Sequence, residues 1–255
     1  MKVLASYSIK GGVGKTTAAA NLAWLGAAEG RRVLLWDLDP QGGATFLFRV
    51  KPKVKGGGKA LVRGRRELAD AVKASDFDNL DLVPSDFSYR HLDLLLDAQR
   101  RPTRRLDAML SQVSEDYDVV VLDCPPSVSL VSENIVRAAD LLVVPMLPAP
   151  LSVRTLDQLG EFVGAVKGRS PQVLAFFSMV DRRRKLHREL VEELPKERKD
   201  IARTVIPVAS AVEQMGVRRA PVVAWSPSSQ AAIAFAHLWQ EVTRHTDGHR
   251  PRRRG

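Results

Sequence analysis

A glycine-rich segment near the start of the chain carries the residue types that bind phosphate. Residues 8–17 read SIKGGVGKTT and follow an apolar segment, MKVLASY, that has the pattern of a buried strand. A strand, a glycine-rich loop ending in lysine and threonine, and then a helix form the arrangement of a phosphate-binding loop. Its glycines let backbone N–H groups converge on phosphate oxygens, and the helix N-terminus adds its dipole. The spacing predicts that Lys15 contacts the outer phosphates of a nucleotide and that the Thr16 hydroxyl binds Mg²⁺.

The same loop has a second lysine at its entrance. The strict form of the motif has its first glycine at position 9, where this chain has Ile9, and Lys10 follows. Like charges a few residues apart repel each other, so Lys10 requires an anionic partner. The alternative is a lysine that simply faces solvent.

Aspartates follow two other apolar segments. The sequence DLDPQG after the second apolar run places Asp37 and Asp39 on one face at the carboxyl end of a parallel strand, where such sheets bind ligands. The run VVVL precedes Asp123, and a carboxylate there is costly to bury unless a cation lies nearby. We therefore expect Asp123 to bind Mg²⁺, while one of the earlier pair has the alternative role of capping the next turn.

The elements that must position these residues alternate along the chain. Apolar runs predict strands over residues 1–9, 31–39, 80–85, 118–124, 141–146, 173–180 and 204–208. Helical spacing lies between them, including residues 15–29, one or two helices over 89–115 broken near Pro102, and a last helix over 228–244. This order indicates an α/β fold, a mostly parallel twisted sheet covered by helices on both faces. We expect one domain over residues 1–245 and a disordered basic tail over 246–255.

Composition narrows the classes of function. No apolar run approaches the ~20 residues of a membrane span, and the first strand starts too early for a signal peptide. The chain has a single cysteine, Cys124, which excludes an internal disulfide framework and paired-cysteine metal sites within one chain. We expect a cytoplasmic protein. The net charge of +10 favours a polyanionic partner, either nucleic acid or an anionic membrane surface, over a merely solvated basic surface.

The excess positive charge is clustered. Residues 49–66 contain eight cations, no acid and a triple glycine, and predict a mobile basic loop that runs into a helix ending near Ala74. Other clusters lie at 100–105, 182–188, 218–219 and 250–254. Aromatic residues make up 6% of the chain and do not interleave with these cations, so base stacking is not expected. Cations without a reading motif predict sequence-independent, salt-sensitive contacts to duplex phosphates.

The segment KGGVGKTT resembles the deviant Walker A motif of the ParA/MinD family of dimerising P-loop ATPases, and VVVLD resembles a Walker B motif. The resemblance implies ATP and Mg²⁺ as cofactors and slow ATP hydrolysis that a partner stimulates. It also implies that Lys10 reaches the phosphates held by a second subunit, so that the active unit is a homodimer with ATP between its subunits. The anionic partner of Lys10 is then the nucleotide of the other subunit.

The resemblance also assigns the remaining site residues. It implies that Asp39 orients the attacking water, that Asp37 supports Mg²⁺ through water, and that Pro125, Pro126 and Ser127 shape a switch loop. Met179, Asp181 and Pro207 match short segments that flank the adenine, with ordinary strand-end roles as the alternative. The implied nucleotide-binding loop consists of Lys10, Gly11, Gly12, Val13, Gly14, Lys15, Thr16 and Thr17.

The function that the resemblance implies is partitioning or positioning of a chromosome, plasmid or protein cargo. The dimer would bind nucleoid DNA without sequence preference and leave it when a ParB-like or other cargo-bound activator stimulates hydrolysis. The candidate DNA contacts are Arg182, Arg183, Arg184, Arg218 and Arg219. One alternative is a MinD-like membrane-surface ATPase, although no C-terminal amphipathic helix is evident and no stable membrane insertion is expected. A second is a metallocluster carrier, which needs paired cysteines. A third is an amidoligase, for which the basic clusters would have no use.

Overall fold

One sheet of eight strands forms the centre of the molecule. The computed structural model describes residues 1–168 and 170–247. The strands are β1 (Lys2–Ser6), β2 (Val33–Asp37), β3 (Lys73–Ala74), β4 (Leu80–Val83), β5 (Val119–Asp123), β6 (Leu141–Met146), β7 (Gln172–Val180) and β8 (Ile201–Pro207). Their order across the sheet is β3-β4-β2-β5-β1-β6-β7-β8. Only the β3–β4 pair is antiparallel within the described residues, so the predicted mostly parallel sheet is confirmed.

Helices connect the strands along the chain. They are α1 (Lys15–Ala28), α2 (Gly43–Leu47), α3 (Gly57–Val62), α4 (Leu92–Asp97), α5 (Arg105–Leu110), α6 (Leu130–Ala138), α7 (Pro150–Ala165), α8 (Lys185–Glu197), α9 (Ser210–Glu213), α10 (Met215–Arg218), α11 (Val222–Trp225) and α12 (Gln230–Asp247). Short 3₁₀ turns cover Ala69–Ala71, Phe87–His91, Pro102–Arg104 and Ser111–Val113. The helical region after β4 is interrupted at Pro102 as predicted, because proline fits the first turn of a helical segment and not its interior.

Two apolar cores lie on the two faces of the sheet. Successive strand residues point to opposite faces, so Val3 and Ala5 join one core while Leu4 joins the other. Residues of α3 to α8 complete the first core, and residues of α1, α2, α10, α11 and α12 complete the second. Burial on both faces explains why the central strands are continuous apolar runs without polar alternation.

The basic segment 49–66 is anchored to the body of the protein. Val54 is 3% exposed, and its N–H donates a hydrogen bond of 2.9 Å to the Asp86 carboxylate. Helix α3 is only six residues long, because it starts after Gly56 and ends before Gly64, both in left-handed conformations that interrupt a helix. The predicted continuous helix to Ala74 is therefore wrong, and a 3₁₀ turn and the edge strand β3 take its place.

The C-terminal helix extends slightly beyond its predicted end. Helix α12 reaches Asp247, so residues 246 and 247 of the predicted basic tail belong to it. The rest of that tail, residues 248–255, lies outside the described residues. Among the helices that the structure describes, none combines the length and apolar character that crossing a membrane requires.

Candidate functional site

The glycine-rich loop connects the end of β1 to the start of α1 at the centre of the sheet. Gly12 and Gly14 have φ angles of +72° and +98°, which side-chain-bearing residues rarely adopt. A Cβ on Gly14 would also lie 3.0 Å from the Ser178 hydroxyl oxygen. Ser178 could not be recognised from local sequence, because it lies on β7, far along the chain. The loop conformation therefore depends on glycine at these two positions.

Lys15 is the first residue of α1 and is enclosed by the loop that precedes it. Its side chain is only 7% exposed, and its ammonium donates a hydrogen bond of 2.9 Å to the Lys10 carbonyl oxygen. Burial lowers the pKa of Lys15, while the nearby negative charges of Asp123 and Asp39 raise it. The structure thus brings together the lysine and two of the three predicted carboxylates.

Asp123 ends β5 and has an unusual environment for a carboxylate. It is 0% exposed, and neither of its oxygens has a hydrogen-bond partner in the described part of the chain. In the sheet register it lies beside Asp37 of β2 and Ser6 of β1. Burial raises the pKa of Asp123 well above its ordinary value and the charge of Asp37 adds to this, whereas Thr16 and Lys15 act in the opposite direction. A buried carboxylate without a partner is costly, and a cation would remove that cost.

The residues around Asp123 fit a Mg²⁺ ion. The Thr16 hydroxyl lies on the same side, and a Cβ on Gly43 would approach within 3.2 Å of its oxygen. Gly43 therefore leaves open the space beside the hydroxyl, a role that the sequence did not reveal. Among residues 1–168 and 170–247, no group of three or more His, Cys, Asp or Glu side chains could hold a metal ion by itself. Mg²⁺ commonly takes one or two carboxylates and completes its ligands with phosphate and water.

Asp37 connects the end of β2 to α2. One of its oxygens accepts hydrogen bonds of 2.7 Å from both the backbone N–H and the hydroxyl of Thr45. Its other oxygen accepts a longer bond of 3.3 Å from the N–H of Asp39. Burial raises the pKa of Asp37 to about 6. The turn-capping alternative thus describes what Asp37 does in this structure, and its role toward Mg²⁺ stays a prediction.

Asp39 lies just beyond the end of β2 and is partly exposed. One of its carboxylate oxygens accepts a hydrogen bond of 2.9 Å from the N–H of Gln41. The pair therefore does not share one strand face as predicted, since the strand ends at Asp37. Asp39 nevertheless lies at the carboxyl edge of the sheet, near enough to Lys15 to affect its pKa.

A cleft that is open to solvent lies beside the start of α1. Its lining includes Gly14 and Thr17 from the loop, together with Met179 at the end of β7 and Pro207 at the end of β8. The structure thus brings two of the three predicted adenine-flanking residues to the glycine-rich loop. Asp181 is not among the residues that line this cleft and instead forms an ion pair of 2.9 Å with Arg183.

Lys10 is half-buried at the outer side of the loop. It lines a narrow depression against α7, together with Val13 and Met146. In the described part of the chain it forms no ion pair. The anionic partner that its charge requires is therefore not supplied by these residues.

Tyr7 links the loop to the segment after Asp123. It is fully buried, and its hydroxyl donates a short hydrogen bond to the carbonyl oxygen of Ser127. Burial raises the pKa of Tyr7 to about 12. Cys124 is also fully buried, and burial raises the pKa of its thiol well above its ordinary value. The sequence did not indicate Tyr7, because its partner lies 120 residues away and Tyr7 itself looked like an ordinary strand residue.

The arginines predicted to contact DNA form two separate groups. The residues 182–184 are exposed just before α8, and the guanidinium of Arg188 donates to two of their carbonyls. Arg218 and Arg219 lie at the end of α10, with their guanidinium groups over Trp225 and Phe46. No hydrogen bond or ion pair between described residues joins the two groups.

Comparison with known proteins gives a family match, similar sequences and similar solved structures. Residues 1–176 match a family described as an AAA domain. The chain is similar to the sporulation initiation inhibitor protein Soj of Bacillus subtilis, with 31% identity over 247 residues, 94% of this chain and 98% of that protein. It is similar to the virulence plasmid ParA family protein pGP5-D of Chlamydia psittaci, with 30% identity, 95% of this chain and 94% of that protein. A solved structure of cobyrinic acid a,c-diamide synthase from Mycobacterium smegmatis, with bound ATP analog and magnesium, has a TM-score of 0.81 and 26% identity over 98% of this chain and 97% of that one.

Proposed function

Because the chain belongs to the ParA/MinD family of P-loop ATPases, we propose that it is a positioning ATPase that binds duplex DNA without sequence preference as an ATP-dependent dimer. The observation that carries the nucleotide site is the buried carboxylate of Asp123 beside Lys15 and Thr16, which has no hydrogen-bond partner among residues 1–168 and 170–247. Those three groups lie at the end of a glycine-rich loop, where a phosphate with its Mg²⁺ would satisfy all of them.

The residues of this site have distinct proposed roles. Lys15 contacts the outer phosphates of ATP, and the loop N–H groups of residues 11–17 surround them. Thr16 and Asp123 would hold Mg²⁺, with Asp37 contributing through water, and the ion would supply charge that stabilises phosphoryl transfer. An ATP analog and magnesium bound together in a solved relative support this pair of ligands.

Other proposed roles concern the base, the water and the second subunit. Met179 and Pro207 flank the adenine in the cleft beside the loop. Asp39 orients the attacking water, a role that its partly exposed position at the sheet edge allows. Lys10 contacts the phosphates bound by the other subunit, which its lack of an ion pair among the described residues supports.

The proposed partners are duplex DNA and an activator protein. The net charge of +10 and the exposed arginines at 182–184, with Arg218 and Arg219, support sequence-independent contacts to phosphates. A ParB-like or other cargo-bound activator would stimulate hydrolysis and release the DNA. The protein would then work in the cytoplasm on the nucleoid, moving a chromosome, plasmid or protein cargo.

A second candidate function is ATP-dependent amide formation. It is favoured by one observation, the similarity to the structure of a cobyrinic acid a,c-diamide synthase. An enzyme of that kind would hydrolyse ATP only when a carboxylic acid and a nitrogen donor are also present. Duplex DNA has no part in such a reaction. DNA dependence therefore separates the two functions.

The test is binding to random-sequence duplex DNA with ATP, ADP or no nucleotide, across a salt series. We expect binding that requires ATP, is indifferent to sequence and falls steeply with salt. Lys15→Ala should abolish it by removing ATP binding, whereas Lys167→Ala, a change at an exposed lysine remote from the loop, should not. Binding that ignores the nucleotide, or no binding at all, would contradict the proposal, and preference for anionic vesicles would favour a membrane-surface ATPase.

A further inference from the structure

A basic groove lies at the β3 edge of the sheet. It is formed by the segment after α2 and by the edge strand β3, and it is open to solvent. Five cations contribute to its lining, and they are Arg49, Lys51, Lys53, Lys55 and Lys73. Among the described residues that line it, Asp76 is the only acid, and the apolar contributions come from Phe48, Val50 and Ala74. We call this feature the basic groove.

Most of this positive charge is not neutralised by the described part of the chain. Arg49 forms an ion pair of 3.3 Å with Asp76. No ion pair between described residues involves the four lysines of the basic groove. Like charges held this close raise the energy of the folded chain until a polyanion binds.

The basic groove is continuous with two of the arginines already considered. The guanidinium of Arg49 donates a hydrogen bond of 3.0 Å to the Arg218 carbonyl oxygen. Arg219 donates one of 2.9 Å to the carbonyl of Phe46, just before the groove-forming segment. Residues that are some 170 positions apart in the sequence therefore form one positively charged surface. The arginines at 182–184 are not joined to this surface by any hydrogen bond or ion pair between described residues.

The base of the basic groove is held in place. Val54 lies between Lys53 and Lys55, is buried, and is bonded to Asp86. Phe48 is buried at the start of the segment, and Lys73 belongs to the β3–β4 ladder. A preformed row of cations loses less conformational freedom on binding than a disordered basic segment would.

The chemistry of this lining favours duplex DNA as the ligand. Duplex DNA carries one negative charge per about 1.7 Å of its axis, which matches closely spaced cations. Phe48 is the only aromatic residue among the described lining residues, and it is buried and cannot stack on a base. Contacts from these lysine and arginine side chains to phosphates would carry no sequence information.

We propose that the basic groove, continued by Arg218 and Arg219, is the surface that holds the phosphate backbone of duplex DNA. This inference rests on the proposed function and assigns its DNA contact to a specific surface. It gives a role to the segment 49–55, which is not among the DNA contacts predicted from the sequence.

The experiment compares two triple variants that remove the same charge. Lys51→Gln/Lys53→Gln/Lys55→Gln neutralises the groove, and Lys167→Gln/Lys196→Gln/Lys199→Gln neutralises three exposed lysines elsewhere. Affinity for a random-sequence duplex is measured with ATP over a salt series. Each lost phosphate contact lowers the slope of log affinity against log salt by about 0.9. We expect the magnitude of this slope to fall by about 2 to 3 in the groove variant and by less than about 0.5 in the control.

The outcomes separate failure of the inference from failure of the proposed function. Thermal unfolding and affinity for a fluorescent ATP analog, measured on all proteins, establish that each variant is folded. If the wild-type protein binds no duplex with ATP, the proposed function fails and the inference with it. If the wild-type protein binds and the groove variant keeps the full slope, only the inference fails. Two further outcomes would overturn the inference. One is a lower salt-dependence slope only in Arg182→Gln/Arg183→Gln/Arg184→Gln. The other is binding that depends on the groove but is to anionic vesicles and not to duplex DNA.

Discussion

At the scale of single residues, the Asp123 carboxylate is costly to bury and has a proposed role in binding Mg²⁺. A carboxylate that has no hydrogen-bond partner among the described residues and is enclosed at the end of a central strand destabilises the fold that contains it. Sites for ligands often carry such a cost, since the group that binds the ligand is poorly satisfied without it. Mg²⁺ binding and stability should therefore respond in opposite directions when this carboxylate is changed.

We predict that Asp123→Asn raises the thermal midpoint of the nucleotide-free protein at pH 8 while it weakens Mg²⁺-dependent ATP binding by at least about tenfold. Removing a buried charge worth about 1 kcal/mol corresponds to a rise of about 2–4 °C in a chain of this size. Calorimetry and nucleotide titration with and without Mg²⁺ measure the two effects. Asp97→Asn, at an exposed position, should change neither, and a lower midpoint with unchanged Mg²⁺-dependent binding would contradict the assignment.

Tyr7→Phe should destabilise the protein without changing its surface. The substitution removes the hydroxyl that donates to the Ser127 carbonyl and leaves that oxygen without this donor. A lost hydrogen bond of this kind costs about 1 kcal/mol, or more where the remaining group is buried. Urea unfolding should show a lower midpoint with an unchanged m-value, and equal midpoints would mean that the bond contributes nothing.

The sequence predicted some of these residues and not others for a physical reason. Asp123 was recognisable because an acid after an apolar strand violates a local pattern. Tyr7 and Gly43 violate none, since their roles depend on Ser127 and Thr16, which only the folded chain brings near them. Long-range pairs of this kind leave no trace in local spacing.

At the scale of elements, the loop between β1 and α1 depends on its backbone conformation. Gly14 is the N-cap of α1. Its φ of +98° would strain any other residue, and the nearby Ser178 hydroxyl would have to shift to admit a Cβ. The N–H groups of the loop can all point at the same anion only if this turn is maintained.

Gly14→Ala should therefore weaken ATP binding strongly and lower stability by about 1–2 kcal/mol. Gly160→Ala is the matched control, because this glycine lies inside α7 with open space around its missing side chain. That control should be neutral or slightly stabilising. Isothermal titration and denaturant unfolding report the two quantities, and wild-type ATP affinity in Gly14→Ala would disprove the role of the loop.

The same scale shows where sequence patterns are sufficient. The central strands were predictable because burial on both faces requires continuous apolar runs. Helix α1 was predictable because it follows the glycine-rich loop and ends before Gly30. The region from Arg49 to Ala74 was not, since the glycines that end α3 act through their φ angles, and two-residue strands such as β3 carry no periodicity.

At the scale of the whole molecule, Lys10 points to an assembly. Its loop position was evident in the sequence, but whether another part of the chain neutralised it was not. The described residues offer it no ion pair, so the second subunit of the proposed dimer becomes the natural source of the anion.

Lys10→Ala should bind ATP with nearly wild-type affinity and yet fail to dimerise. Light scattering with ATP and Mg²⁺ measures dimer formation. The comparison is made in an Asp39→Ala background, which is expected to hydrolyse ATP poorly and therefore to keep the protein bound to ATP. The Asp39→Ala protein alone is the matched control and should form the dimer. An equally stable dimer of the double variant would remove Lys10 from the interface.

The burial of Cys124 makes the timing of site opening measurable. Its thiol is fully enclosed next to Asp123, and it is the single cysteine of the chain. A thiol reagent can therefore react only during the moments when this end of β5 is exposed. If ATP with Mg²⁺ binds only the closed site, the reaction should slow by the factor one plus the ligand concentration over its Kd. The reaction rate of the Cys124 thiol thus reports how often the nucleotide site opens, and the measurement needs no substitution in the protein.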